Sequence, residues 1–155
     1  MPKVIRKKGT GYDKLRNTLG NMPTMKVGFF DTKYPKKKGQ KGPAVPVAYV
    51  AAIHEFGSPK NNIPPRSFMR TTAIEQAGAW RKAAREIFKP VMLGNATSAE
   101  ALDKLGFIVE GDIAAKITQI SSPPLKQATI DRKGDSKPLV ETGLLLQSVT
   151  HQVDA

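Results

Sequence analysis

Residues 97–120 read TSAEALDKLGFIVEGDIAAKITQI. The opening Thr97-Ser98-Ala99-Glu100 has the form of a capping box, in which a threonine hydroxyl accepts the N–H three residues on and the glutamate accepts the threonine N–H. Behind it Leu102, Leu105, Val109, Ile113, Ile117 and Ile120 recur every three or four residues, the apolar stripe of an amphipathic helix. At ~1.5 Å per residue this helix is ~35 Å long. Gly106 and Gly111 interrupt it at a cost of roughly 1 kcal/mol each, so they mark a close approach or a bend.

Working outward from that helix, Gly94-Asn95 forms a break, and a second helix precedes it. Phe68 opens that helix, which runs to about Val91 with Ala73, Ala77, Trp80, Ala84, Ile87 and Val91 in phase and Pro90 near its end. Arg81, Lys82, Arg85 and Lys89 occupy its other faces. A short break between two helices of equal length predicts antiparallel pairing. Further upstream, Val47–Phe56 reads as a helix with Pro46 at its start and Gly57 as its C-terminal cap. One face of it carries Val47, Val50 or Ala51, and His54; an adjacent face carries Tyr49, Ile53 and Phe56. Ser58–Pro65 is a turn-rich connector, and Pro64-Pro65 holds its end extended.

At the two ends of the chain the periodicity shortens. Met25–Phe30 alternates as a strand, as does Gln147–Val153, and Leu125–Ile130 has the composition of a third, short one. A short helix over residues 12–20 would place Tyr12, Leu15 and Leu19 on one face. The expected fold is α+β: a small antiparallel or mixed sheet packed against two long helices and a short helix. Residues 1–11 read as a basic arm, and 12–155 as one domain with an exposed lysine-rich loop at 31–46.

Of the 155 residues, 25 are Lys or Arg and 13 are Asp or Glu, a net charge of +12. Residues 1–41 hold 12 of the basic residues and two of the acidic ones, so that segment is +10 and the remainder +2. This excludes an acidic, calcium-buffering or nucleic-acid-mimicking protein. The absence of cysteine excludes disulfide frameworks, thiolate zinc sites and cysteine nucleophiles. No apolar run approaches the roughly 18 residues of a membrane span, and no apolar segment follows the basic start, so neither a membrane partner nor a signal peptide is expected. A basic arm and loop suit a polyanion such as DNA, RNA or an acidic protein surface, or serve simply as solvated chain. Tyr34 is the one aromatic beside Lys36, Lys37 and Lys38, which gives little for stacking on single strands. With no DNA-binding motif present, any nucleic-acid contact would be to phosphates and indifferent to sequence.

The chain offers no catalytic constellation. His54-Glu55 lacks the second histidine of a zinc-protease helix, and His151 is the only other histidine. Gly9-Thr10-Gly11 and Gly39-Gln40-Lys41 lack the frames of dinucleotide and phosphate loops, and no nucleophile elbow occurs. Glu110 and Asp112 lie two apart on a helix and point to different faces. The expectation is a binding protein, not an enzyme, with no metal or other cofactor.

Two motifs go further. Val47-Ala48-Tyr49-Val50-Ala51-Ala52-Ile53-His54-Glu55-Phe56-Gly57, followed by Ile63-Pro64-Pro65-Arg66-Ser67-Phe68-Met69-Arg70, resembles a signature of tailed-bacteriophage tail-completion and virion-morphogenesis proteins. Pro138–Val149, with Thr142-Gly143 at its centre, resembles a second hallmark of those families near the C-terminus. Ser67 stands where proline is usual, and little chain follows the second motif for a terminal hairpin. The resemblance implies a non-enzymatic structural protein of the virion neck or head-proximal tail end, made in the host cytoplasm. Such proteins cap the tail tube or join it to the filled head as rings, six-fold where they stack on the tube. Its partners would be further copies of itself, other neck and tail proteins, and packaged DNA through phosphate contacts. A head-side connector or portal plug is a variant of this reading. A nonspecific nucleic-acid-binding protein is the alternative from another class.

The residues expected to meet partners are Lys33, Lys36, Lys37, Lys38, Lys41, Arg66 and Arg70. The motif itself reads as a rigid corner built from His54, Glu55, Phe56, Gly57, Pro64, Pro65 and Phe68, with Thr142 and Gly143 making a turn before the last strand. Glu55 can accept hydrogen bonds from the following turn or pair with Arg66, and Phe56 and Phe68 can anchor the turn apolarly.

Overall fold

The computed structural model describes residues 13, 22–36, 39, 41–125, 127, 130, 131 and 143–154. The expected helix over 12–20, the arm 1–11, Lys37, Lys38 and Thr142 lie outside the described residues, apart from a helical Asp13. The named elements are β1 (Thr24–Gly28), α1 (Val47–Phe56), α2 (Met69–Met92), α3 (Ser98–Gln119), a single-turn α4 (Leu144–Gln147) and β2 (Thr150–Asp154). The fold is α+β; among the described residues it is a two-stranded antiparallel sheet with three substantial helices. Among the described residues, no helix is long and apolar enough to cross a membrane.

The sheet joins distant parts of the sequence. Thr24 pairs with Asp154 and Val27 with His151. Alternation turns Met25, Val27, His151 and Val153 inward and leaves Thr24, Lys26, Gln152 and Asp154 exposed. On the outer face Lys26 forms an ion pair with Asp154. A two-stranded ribbon is marginal alone, and this one is supported by its packing against α3.

α3 is the central element because its stripe meets neighbours on two sides. Val109, Ile113 and Ile117 are buried together with Val47 and Ala51 of α1, Phe68, and Leu145 of α4. Phe68 is fully buried and meets the edge of Phe29, with ring centroids 6.0 Å apart. The capping box forms as its sequence predicts. Thr97 Oγ1 accepts Glu100 N–H at 3.2 Å, and Glu100 Oε2 accepts Thr97 N–H at 2.8 Å.

α2 and α3 run antiparallel. Trp80 Nε1 donates to Asp112 Oδ2 at 2.7 Å, and Lys116 reaches Glu75 at 2.7 Å, so rising numbers on one helix meet falling numbers on the other. The alanine-rich stripe of α2 is only half-covered. Thr72 and Val91 are its buried residues, while Ala73 is exposed, because α2 lies on the outer side of α3 and has that helix as its main neighbour.

Three expectations are corrected. Of the expected strand 125–130, the described Gln127 and Ile130 are helical, as is Asp131 after it. A run of that length carries no periodicity that separates the two states. The last strand begins at Thr150, because Leu144–Gln147 forms a helical turn that buries Leu145. Lastly, the buried face of α1 is Val47, Ala51 and Glu55, with Tyr49 and Phe56 exposed.

Gly106 is a close approach, as its place in the helix suggests. A Cβ there would lie 2.3 Å from Cδ2 of His151, whose ring is held by Glu110 at Nδ1 (2.8 Å) and Asp103 at Nε2 (3.0 Å). Burial pulls the His151 pKa down, but the two carboxylates outweigh it and hold the ring above its usual value. Gly111 has open space around it and no such role. Gly106→Ala gains about 1 kcal/mol of helix propensity but forces the ring aside, and overpacking of this kind costs about 1–3 kcal/mol. The expected result is a net loss of up to ~2 kcal/mol in urea denaturation, smaller when the same change is made in a His151→Ala background.

Candidate functional site

The first motif folds into one hydrogen-bonded corner between α1 and α2. α1 ends at Gly57, whose φ of 77° and ψ of 175° suit glycine alone. The chain then makes a tight loop. Ser58 and Ile63 exchange backbone hydrogen bonds at 2.8 and 3.0 Å around a single 3-10 turn at Pro59–Asn61, and Asn62 is left-handed. Pro64 and Pro65 carry the chain back across the end of α1, where Arg66 N–H donates to His54 O at 2.7 Å. A Cβ at Gly57 would lie 2.9 Å from both Ile63 O and Pro65 N, so the two arms of the loop close directly over this glycine.

Glu55 is the centre of the corner. It is buried, on the inner face of α1, and its carboxylate points at the start of α2. Oε2 accepts the N–H groups of Phe68 (2.8 Å) and Met69 (2.9 Å). Oε1 accepts Arg70 N–H (3.1 Å), Arg70 Nε (2.9 Å) and the Ser67 hydroxyl (2.6 Å). The first N–H groups of a helix have no partner within it and carry the positive end of its dipole. α2 has no side-chain cap of its own at Phe68. Glu55 supplies that cap from another helix. Burial raises the Glu55 pKa, but the hydrogen bonds from Ser67, Arg70 and the Met69 and Arg70 backbone outweigh it, so the carboxyl sits below its ordinary value.

Arg70 and Phe56 form the exposed lip of the corner. Arg70 also donates from Nη2 to Glu55 O at 3.0 Å, and its guanidinium carbon lies 4.8 Å from the Phe56 ring centroid. Phe56 is 64 % exposed. It therefore does not anchor the turn as expected; it is a platform for Arg70, and Phe68 alone is the apolar anchor.

Arg66 departs furthest from its expected place. It is buried, and it does not pair with Glu55. Nε donates to Pro123 O at 2.8 Å and Nη2 to Pro124 O at 3.0 Å. Burial lowers its pKa from the ordinary value. Arg66 ties the corner to the segment after α3, and its side chain is spent within the chain. Arg70, with its side chain 58 % exposed, remains reachable from outside.

The other residues singled out in the sequence lie apart from the corner. Lys33, Lys36 and Lys41 are exposed. The base of their loop is pinned as a hairpin, with Lys33 bridged to Pro46 and Tyr34 N–H donating to Val45 O at 2.8 Å. Tyr34 packs against the core. Gly143, with φ of 67°, starts α4. Ser67 was visible in the sequence only as a departure from the usual proline, yet its hydroxyl makes the shortest bond to Glu55, one a proline cannot make. The carbonyls of Pro123 and Pro124 carry no sequence signal as arginine acceptors. Among the described residues, no group of three His, Asp or Glu side chains is arranged to hold a metal ion.

The corner offers rigid positioning and an exposed cation on an aromatic ring. Searches of protein-family models, curated proteins and solved structures find no match to this chain.

Proposed function

We propose that the chain is a structural protein of a tailed-phage virion, one that completes the tail and joins it to the head as a ring in the neck, acting by binding and not by chemistry. The observation that carries this reading is the corner. The residues that resemble the family signature on either side of the loop are drawn onto one carboxylate, so the motif works as a unit that fixes the angle between α1 and α2. A subunit that must repeat around a ring benefits from such an angle being set before assembly. The lysines at 33, 36 and 41 are exposed on a separate loop and suit acidic neighbours or DNA phosphates.

The test is electron microscopy of lysates from a phage lacking the gene. Separate DNA-filled heads and finished tails support a joining protein. Overlong tails favour a length terminator, and empty heads a head-side plug. Normal infectious particles overturn the virion reading. A second reading, a nonspecific nucleic-acid-binding protein, is favoured by the +10 charge of residues 1–41. It requires the isolated chain to bind short duplexes with an affinity that falls steeply with salt.

A further inference from the structure

Two exposed strips on the helical hairpin have opposite charge. Along the C-terminal half of α2, residues 81–92 hold four basic residues and one acidic residue. Phe88, Met92 and Leu93 border a surface depression there, rimmed by Arg85 and Lys89. Leu93 is 75 % exposed. Along the outer side of α3 the exposed carboxylates are Glu100 and Asp103, with Lys104 beside them, while Glu110 is held by His151 and Asp112 faces α2. Phe107 stands out beside Glu100 and Asp103 at 62 % exposure, its ring edge-on to His151.

Helical geometry sets these strips on opposite sides of the hairpin. The α2–α3 contact runs through Trp80 and Asp112. At ~100° per residue, Arg85 and Met92 lie more than a quarter-turn from Trp80 on α2, and Asp103 and Phe107 lie about half a turn from Asp112 on α3. The contact of Asp103 with His151 of β2 fixes that side of α3 as the one away from α2. Because the helices are antiparallel and the break between them is short, both strips sit at the same end of the hairpin. An aromatic knob with carboxylates thus lies on one flank, and an apolar depression with cations at the same height on the other.

We infer that the α3 strip of one copy docks on the α2 strip of the next, with Phe107 seated between Phe88, Met92 and Leu93 and with Glu100 and Asp103 facing Arg85 and Lys89. The contact joins two different patches, so it is head-to-tail, and such contacts form rings where the rotation between copies closes and open filaments where it does not. This deepens the proposed function and rests on that reading for closure of the ring. The segment 1–21 is a poor occupant of the depression, because its six basic residues and one acidic residue match the sign of Arg85 and Lys89.

The chain has no cysteine, so single cysteines can be placed at will. Full-length Leu93→Cys and Phe107→Cys are purified separately and treated with a short bis-maleimide, alone and mixed. The expected result is a covalent dimer from the mixture and none from either variant alone. Adding Arg85→Glu and Lys89→Glu to the Leu93→Cys chain should reduce that dimer to background, with the circular dichroism spectrum unchanged. Dimers from either variant alone indicate a two-fold contact and overturn the inference, as does a mixture that yields no dimer at the highest soluble concentration. Separate heads and tails in the lysate together with no 93–107 product leave the virion role standing and remove the contact. A 93–107 product with normal infectious particles does the reverse.

Discussion

Glu55→Ala is expected to destabilise the protein by about 3–5 kcal/mol, because three backbone N–H groups at the start of α2 lose their acceptor at about 1–3 kcal/mol each, less what water restores. The carboxylate serves three backbone N–H groups, one hydroxyl and one guanidinium, and alanine removes the acceptor from all of them, of which only the exposed guanidinium turns readily to water. For a domain of this size the loss lowers Tm by ~6–20 °C. Glu55→Gln keeps one acceptor oxygen but turns an NH2 group toward donors, so it should recover only part of the loss. The pH dependence has a definite sign. The folded carboxyl lies below its ordinary value, so its contribution is fully present above the unfolded pKa and is lost as pH falls through the folded pKa. Urea midpoints measured downward from pH 6 should therefore fall more steeply for the wild type than for Glu55→Gln. Parallel curves would show that the carboxylate charge does not hold the corner.

Gly57→Ala should cost ~3 kcal/mol, combining the strain of a backbone region closed to other residues with an overlap that cannot relax. The atoms in the way are backbone, Ile63 O and Pro65 N, so relief requires opening the loop that returns the chain to α2. Gly94 is the internal control. Its φ is 76°, yet nothing lies within 4 Å of a Cβ there, so Gly94→Ala should cost only the conformational strain of ~1–2 kcal/mol. Thermal denaturation of the two variants side by side separates strain from overlap, and equal losses would rule out the overlap.

Much of this architecture is readable before any coordinate is seen. The long helices, their break and the capping box are local features. Their periodicity and end signals lie within one element and form as written. Gly106 and Gly111 look alike in the sequence as costs to the helix, and only the packing of β2 on α3 makes Gly106 a close approach and leaves Gly111 without one. The errors have a common physical source. Arg66 and Arg70 are one helical turn apart by number, but α2 begins only at Met69, so the two side chains diverge and Glu55 pairs with the second. Nothing in the local pattern around Arg66 points to carbonyls after α3. Phe56 carries an apolar side chain at an exposed position because a cation covers it, and hydropathy alone reads it as core. Glu55 was legible as an acceptor, but not as the cap of a helix that starts a dozen residues later.

The pairing of Thr24 with Asp154 sets an order of events during folding. α2 and α3 meet through contacts close in sequence, so the hairpin can form early and quickly. β1 is made long before it, and its one strand partner among the described residues, β2, leaves the ribosome much later. Closing so long a loop carries an entropic cost that is recovered only once the inward face of the ribbon reaches α3. The sheet should therefore close last, with the helical hairpin as its template. Through much of synthesis β1 waits as an unpaired strand, with the alternate exposed lysine at position 26 discouraging premature pairing with other chains.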